Sequence, residues 1–346
     1  MKNFLRILIV VVSALLLIGL VACAIMMTTS YKPESIEQAK YTVVEGNTIS
    51  YGDYLDIITW NIAHAGLDNE KAHFTDKGKG VEAVESEEIR QNLMGINETL
   101  NYYNADVYMI QDVDTKSTRT IAINEAENIK NQLGLNYAFA YDQKSPFVPY
   151  PWPIQGRIES GNATFSPFII ASAHRVSLPQ TQTLFPLKYS EPKRSMLIVR
   201  NPIADSSKNV VFINVNLDRS KNDDQIKALS ETAKAEYEKG NYVIIGGTFN
   251  KSFNGAQKNI NDKSLWDPQT LTDYFSNDWE YIYDDTTPSV RTLNTPYLNN
   301  MDKVNTYTVD GFICSPNVKI QMYETVNEEF FYSSHNPVHL VVKIER

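Results

Sequence analysis

The apolar positions of this chain fall into two patterns. Residues 7–27 hold 21 consecutive uncharged, mostly apolar positions, preceded by Lys2 and Arg6. At 1.5 Å per residue, a helix of that length reaches across a hydrocarbon layer of about 30 Å. Beyond Tyr54 the apolar residues come in short runs: LDIITW (55–60), DVYMI (106–110), FIIAS (168–172), VVFINV (210–215), YVIIG (242–246), TVDGFIC (308–314) and VHLVV (338–342). Their length and β-branched content predict strands. Ile89, Leu93, Ile96, Leu100 and Tyr103 recur at steps of three and four and predict a helix over 86–103. A second helix is predicted after Thr118, stopping near Gly134, and a third from about Asp223 to Lys239. Pro146, Pro149, Pro151 and Pro153 forbid a regular helix or central strand over 144–157, and 251–305 reads as loop-rich. The alternation implies an α/β domain with layered sheets.

The chain divides into an N-terminal segment (1–27), a polar juxtamembrane spacer (28–50) and one domain (51–346). The basic flank orients the first segment with its N-terminus in the cytoplasm, so a single-pass anchor leaves the domain extracytoplasmic at the cell membrane. Leu20-Val21-Ala22-Cys23 also fits a lipoprotein signal lipidated at Cys23, although the apolar run continues through Met27. The formal net charge is −9, and outside the first 27 residues 30 basic side chains face 41 acidic ones. Such a surface is a poor generic binder of nucleic acid. Two cysteines, Cys23 and Cys314, exclude a disulfide framework and a cysteine-based zinc cluster.

Several apolar runs end in polar residues. ITWNI brings Asn61, IQDVD brings Gln111 and Asp112, VIIGGTFN brings Thr248 and Asn250, TVDGFIC places Asp310 within a strand, and SSHNP sets His335 before the last strand. Side chains from several strand ends can converge on one pocket. A buried Asp310 needs a partner, and a histidine is the obvious candidate. His64, His73, His174 and His339 lack such context and read as ordinary surface or core residues.

Taken in order, these segments resemble the endonuclease/exonuclease/phosphatase superfamily over about residues 53–345, and in particular its membrane-anchored Gram-positive members. The matching stretches are TSYKP (29–33), WNIAHAGL (60–67), SGNATFS (160–166) and DGFICSPNV (310–318). The resemblance implies a two-sheet, helix-flanked α/β sandwich like that of deoxyribonuclease I, and Mg²⁺- or Mn²⁺-dependent hydrolysis of phosphate esters. It places Asn61 and Asp112 near the metal, Asn250 in the GDxN-type motif, and Asp310 and His335 as the carboxylate–imidazole pair; Asn162 of SGNATFS is a candidate for the substrate, and Arg119, just after the acidic motif, could bind a phosphate or equally cap and solvate the next helix.

Four positions depart from the family. Asp112 stands for Glu, Asn216 for the His of the NTHL-type motif, Thr248 for the Asp that orients the attacking water, and Ser334 for the Asp of SDH. General acid–base groups are each worth about 10²–10⁴-fold, so these exchanges imply lost or severely weakened phosphoesterase activity. The expectation is an anchored pseudoenzyme that binds a phosphate ester or another extracellular partner. Its competitor is an active phosphodiesterase or phosphomonoesterase in which Asp114 or Asp218 takes over a lost role.

Overall fold

The uninterrupted apolar runs are strands buried on both faces, which is why they do not alternate with polar residues. The computed structural model describes residues 2–42, 46–78, 86–150, 154–180, 185, 187–220, 222–276 and 278–346. In chain order its elements are α1 (Lys2–Thr29), β1 (Ile36–Gln38), β2 (Lys40–Tyr41), β3 (Tyr54–Asn61), α2 (Ser86–Tyr103), β4 (Val107–Asp114), α3 (Glu125–Leu133), β5 (Asn136–Val148), β6 (Gly156–Ser166), β7 (Ser172–Ser177), β8 (Ser195–Pro202), β9 (Asn209–Asn216), α4 (Asp223–Glu238), β10 (Tyr242–Thr248), β11 (Glu280–Ile282), β12 (Val290–Arg291), β13 (Thr306–Tyr307), β14 (Asp310–Cys314), β15 (Val318–Thr325) and β16 (Val338–Ile344).

Among the described residues two seven-stranded sheets form, in the orders β1-β7-β8-β9-β10-β14-β11 and β15-β16-β3-β4-β6-β5-β2. Ile57, Met109, Leu197, Phe212, Ile244, Phe312 and Leu340 meet in the core between them. Their chain neighbours point outward: Ile58, Trp60 and Ile110 pack under Ile89, Leu93 and Ile96 of α2. On the other sheet Val211, Ile213, Val243 and Ile245 pack under Ile226 and Leu229 of α4. The result is a helix–sheet–sheet–helix sandwich, as the resemblance implied.

Local departures from the sequence reading have physical causes. The strand expected at 168–172 lies at Ser172–Ser177 instead. Phe168 keeps only an isolated bridge to Asn47, because Pro167 just before it has no N–H for the ladder. The second helix begins at Glu125 rather than just after Thr118, with the Asn124 side chain capping Glu127 N. β5 continues through Pro146 to Val148, and its pairing with β6 shifts register between Ser145 and Val148; proline is tolerated at such bulges. The polar 28–50 segment adds β1 and β2 to the edges of the two sheets and buries Ala39 and Ile49. α1 is long and apolar enough to cross a bilayer and continues unbroken past Cys23.

Candidate active site at the strand ends

Parallel pairing of β3 with β4 aligns Asn61 with Gln111. On the other sheet β9, β10 and β14 align Asn216 with Thr248 and Thr248 with Asp310. These polar residues therefore reach the same end of the sandwich. Gly247, at φ +143°, precedes Thr248, and a Cβ there would run into the Val215 carbonyl. Glycine is thus what lets β10 close against β9 at this end. Beneath the site, Gln111 donates to Asn214 Oδ1 at 2.8 Å, and Asn214 donates to Ala163 O at 2.9 Å. These bonds join the two sheets through the core.

Asp310 is the centre of the site. It is buried to 2% exposure, and three donors converge on its carboxylate. Thr248 Oγ1 donates to Oδ1 at 2.6 Å, Ser289 Oγ to Oδ2 at 2.7 Å, and His335 Nδ1 pairs with Oδ2 at 2.8 Å. The carboxylate thereby fixes the imidazole tautomer, with the proton on Nδ1. Asn61 Nδ2 donates to Thr248 Oγ1 at 3.2 Å. One chain of bonds therefore runs Asn61–Thr248–Asp310–His335.

Other expected site residues sit close to this chain but in different states. Asn216 is buried, and its Nδ2 has no partner. Asn250 adopts φ 54° and spends its Nδ2 on Leu217 O at 2.6 Å. Ser334 is buried with its carbonyl bonded to Arg291 N. The neighbouring Ser333 hydroxyl makes the tie, donating to Asn61 O at 2.7 Å and accepting from His335 N at 3.2 Å. Asp112 lies at the bulge between Ile110 and Val113 with φ 53°. Asn162 Nδ2 reaches Asp142 at 3.4 Å while its Oδ1 is buried without a partner. Arg119 is committed to a two-pronged bond with Asp114, at 2.9 and 2.8 Å.

Sequence reading missed four contributors. Ser289 lies in a loop with no motif, and Ser333 is hidden beside the more conspicuous Ser334. Asp142 and Arg194 form a charged wall: Arg194 reaches Asp142 at 3.4 Å and Asp218 at 3.1 Å. Burial works to lower the Arg194 pKa, but Asp112, Asp142 and Asp218 outweigh it and raise it. Asp142 is pushed up to about 6 by burial, against the pull of Arg194 and the Ser195 hydroxyl. In the chain Arg194 stands beside Lys193 in a basic pair that carries no motif.

The fold has many solved counterparts. One is a functionally unknown conserved protein from Enterococcus faecalis: 14% identical, TM-score 0.54, covering 84% of this chain and 100% of that one. Another is an endonuclease/exonuclease/phosphatase family protein from Bacteroides thetaiotaomicron, at 13% identity and TM-score 0.52, covering 85% and 99%. A protein of the same description from Leptotrichia buccalis matches at 13% and 0.52, covering 84% and 99%. This is the endonuclease/exonuclease/phosphatase fold. No protein-family model matches the chain, and no curated protein sequence does.

Within the endonuclease/exonuclease/phosphatase fold, the donor set here is thin for a resident Mg²⁺ or Mn²⁺: of the two residues expected at the metal, Asp112 brings a carboxylate and Asn61 a neutral amide. Hard divalent cations need carboxylate oxygens beside waters or phosphates. Among the described residues no three His, Cys, Asp or Glu side chains are grouped to hold one. Asn61 Oδ1 accepts from Ala63 N at 3.0 Å and its Nδ2 serves Thr248. The neighbouring acids Asp114, Asp142 and Asp218 are paired with arginines.

His64 was read as ordinary, yet it borders this site. Ala63, His64 and Ala65 have φ of 46°, 47° and 48° directly after Asn61 and Ile62, a left-handed turn that alanine disfavours. Burial, then Arg119, pushes the His64 pKa down to about 3, against Asp114 and Asp112. A histidine held neutral in the fold supports stability above its unfolded pKa of about 6.5, and that support fades as pH falls toward 3. His64→Asn, whose side chain tolerates the left-handed turn, is expected to flatten the acid limb of the stability curve by about 2–4 kcal/mol between pH 6.5 and 3. Urea unfolding at stepped pH measures it, and an unchanged slope refutes the assignment.

Proposed function

We propose that this chain is a membrane-anchored extracytoplasmic member of the endonuclease/exonuclease/phosphatase superfamily that binds a phosphate ester and has lost most or all of its hydrolytic activity. The observation that carries the reading is Thr248. Its hydroxyl donates to Asp310 and accepts from Asn61, so the position expected to activate water holds a neutral group with its proton already spent. A threonine hydroxyl is in any case far too weak a base at neutral pH. Asp114 and Asp218 do not replace it, because Arg119 and Arg194 hold them.

The ligand-binding part of the proposal rests on the unspent polar atoms. Asn216 Nδ2 offers a buried donor to a phosphoryl oxygen on the strand next to Thr248, and His335 keeps its Asp310 partner. That intact pair is also the one feature favouring the alternative, an active Mg²⁺- or Mn²⁺-dependent phosphoesterase. The full chain in detergent, assayed on bis-p-nitrophenyl phosphate, nucleic acid and phospholipid with Mg²⁺ or Mn²⁺, is expected to show no chelator-sensitive turnover. Turnover abolished by His335→Ala would establish the alternative.

A further inference from the structure

The last turns of α1 pack on the domain. Met26, still within the apolar run, is 5% exposed, and Ser190 Oγ lies 3.3 Å from its sulfur. The contact ties the turn at 187–190 to the end of a bilayer-length helix, which sets that turn at the level of the lipid headgroups.

A groove of about 760 Å³ opens there. One wall is the chain leaving the helix, with Tyr31 and Lys32, and the other carries Lys188, Tyr189 and Lys193. Among the described residues, three lysines line it and no Asp or Glu does. Lys193 Nζ is held over the groove by Lys188 O at 2.8 Å, and Lys188 Nζ sits 5.1 Å from the Tyr189 ring. Two acids stand near: Glu37 is taken up by the Tyr31 hydroxyl at 2.9 Å and by Arg175 at 3.7 Å, and Glu191, whose charge acts on Lys193, accepts from the Tyr150 hydroxyl at 3.4 Å. Phe185, 61% exposed, stacks edge-on against Tyr189. Lysine with tyrosine and an exposed aromatic is the side-chain set that settles at a membrane–water interface.

We propose that this groove binds the phosphodiester headgroup of an anionic phospholipid from the bilayer that α1 spans. Basic residues just outside a membrane helix attract anionic lipid, and here they are gathered into a walled cleft. The proposal rests on α1 remaining as an uncleaved anchor, and it holds whether or not the strand-end site hydrolyses anything. The groove also adjoins that site. Lys193 N donates to Asp142 O at 2.5 Å, and Arg175 bonds both Tyr141 O and Lys193 O. An occupied groove therefore holds the Asp142–Arg194 wall toward the membrane surface.

The full chain in a detergent micelle is titrated with phosphatidylglycerol, with phosphatidylcholine of the same acyl chains, and with soluble glycerol phosphate, and bound lipid is read by native mass spectrometry. Phosphatidylglycerol is expected to be retained selectively. Lys32→Glu with Lys188→Glu is expected to weaken retention by more than about tenfold, each lysine contributing roughly fivefold. Lys32→Gln with Lys188→Gln, which removes charge without reversing it, gives a smaller loss in the same direction. His335→Ala leaves retention unchanged. Equal retention of the two lipids, no effect of the lysine variants, full displacement by glycerol phosphate at matched concentration, or loss in His335→Ala would each overturn the groove as a lipid site.

Discussion

Replacing Asn216 by His, Thr248 by Asp and Ser334 by Asp together is expected to raise hydrolysis of bis-p-nitrophenyl phosphate at least 100-fold over the natural chain, with a new requirement for Mn²⁺ or Mg²⁺. Geometry makes the metal requirement part of the prediction. Thr248 Oγ1 lies 2.6 Å from Asp310 Oδ1, so a carboxylate at 248 stands within hydrogen-bond reach of a second carboxylate. Two such acids cannot both ionise in a buried site unless a proton or a cation joins them. Ser334, like Thr248, is buried, so the triple variant carries excess buried negative charge and unfolds at a lower temperature than the parent without metal. Mn²⁺ is expected to restore part of that loss, because a ligand bound only by the native state stabilises it. Calorimetric titration and thermal unfolding with and without Mn²⁺ check the binding. A variant that folds, yet neither binds metal nor turns over, would mean that the site has diverged beyond these three positions.

Removing the central carboxylate is expected to be the most destabilising single change at the site. Asp310→Ala strands the Thr248 and Ser289 hydroxyls and the His335 Nδ1–H, which all bond to Asp310 at 2.6–2.8 Å. Leaving several buried donors without an acceptor costs about 3–5 kcal/mol, read as a fall of roughly 10 °C in the melting temperature. Asp310→Asn keeps one acceptor oxygen and is expected to cost less than half as much. If Asp310→Ala unfolds within about 1 kcal/mol of the parent, the hydrogen-bonded centre described here is not what holds these strand ends together.

Much of this was legible in the chain, for reasons that differ by residue. The strands at 55–60, 210–215 and 242–246 announced themselves because sheets covered on both sides need uninterrupted apolar runs. The runs that became β5, β6 and β8 did not, since polar and small residues such as those of SGNATFS blur the signal. At Gly161 a Cβ would collide with the Ala140 carbonyl, so the requirement there is close approach of two backbones rather than hydrophobicity. Asp310 and His335 could be paired from sequence because a carboxylate inside an apolar strand demands a partner.

The amino-acid order by itself determined the bilayer-length apolar helix at the N-terminus, the layered α/β architecture, the list of polar strand ends and the absence of acids at 248 and 334. The first three follow from local composition and periodicity, and the fourth is read against the family resemblance. Only the tertiary structure decided which side chains are already spent. Thr248 is consumed by Asp310, Arg119 by Asp114 and Arg194 by Asp142 and Asp218, while Ser289, which no motif marks, and Ser333 complete the site. Hydrogen-bond commitment depends on distance between residues far apart in the chain, and that distance is set by strand register and sheet packing rather than by any single segment.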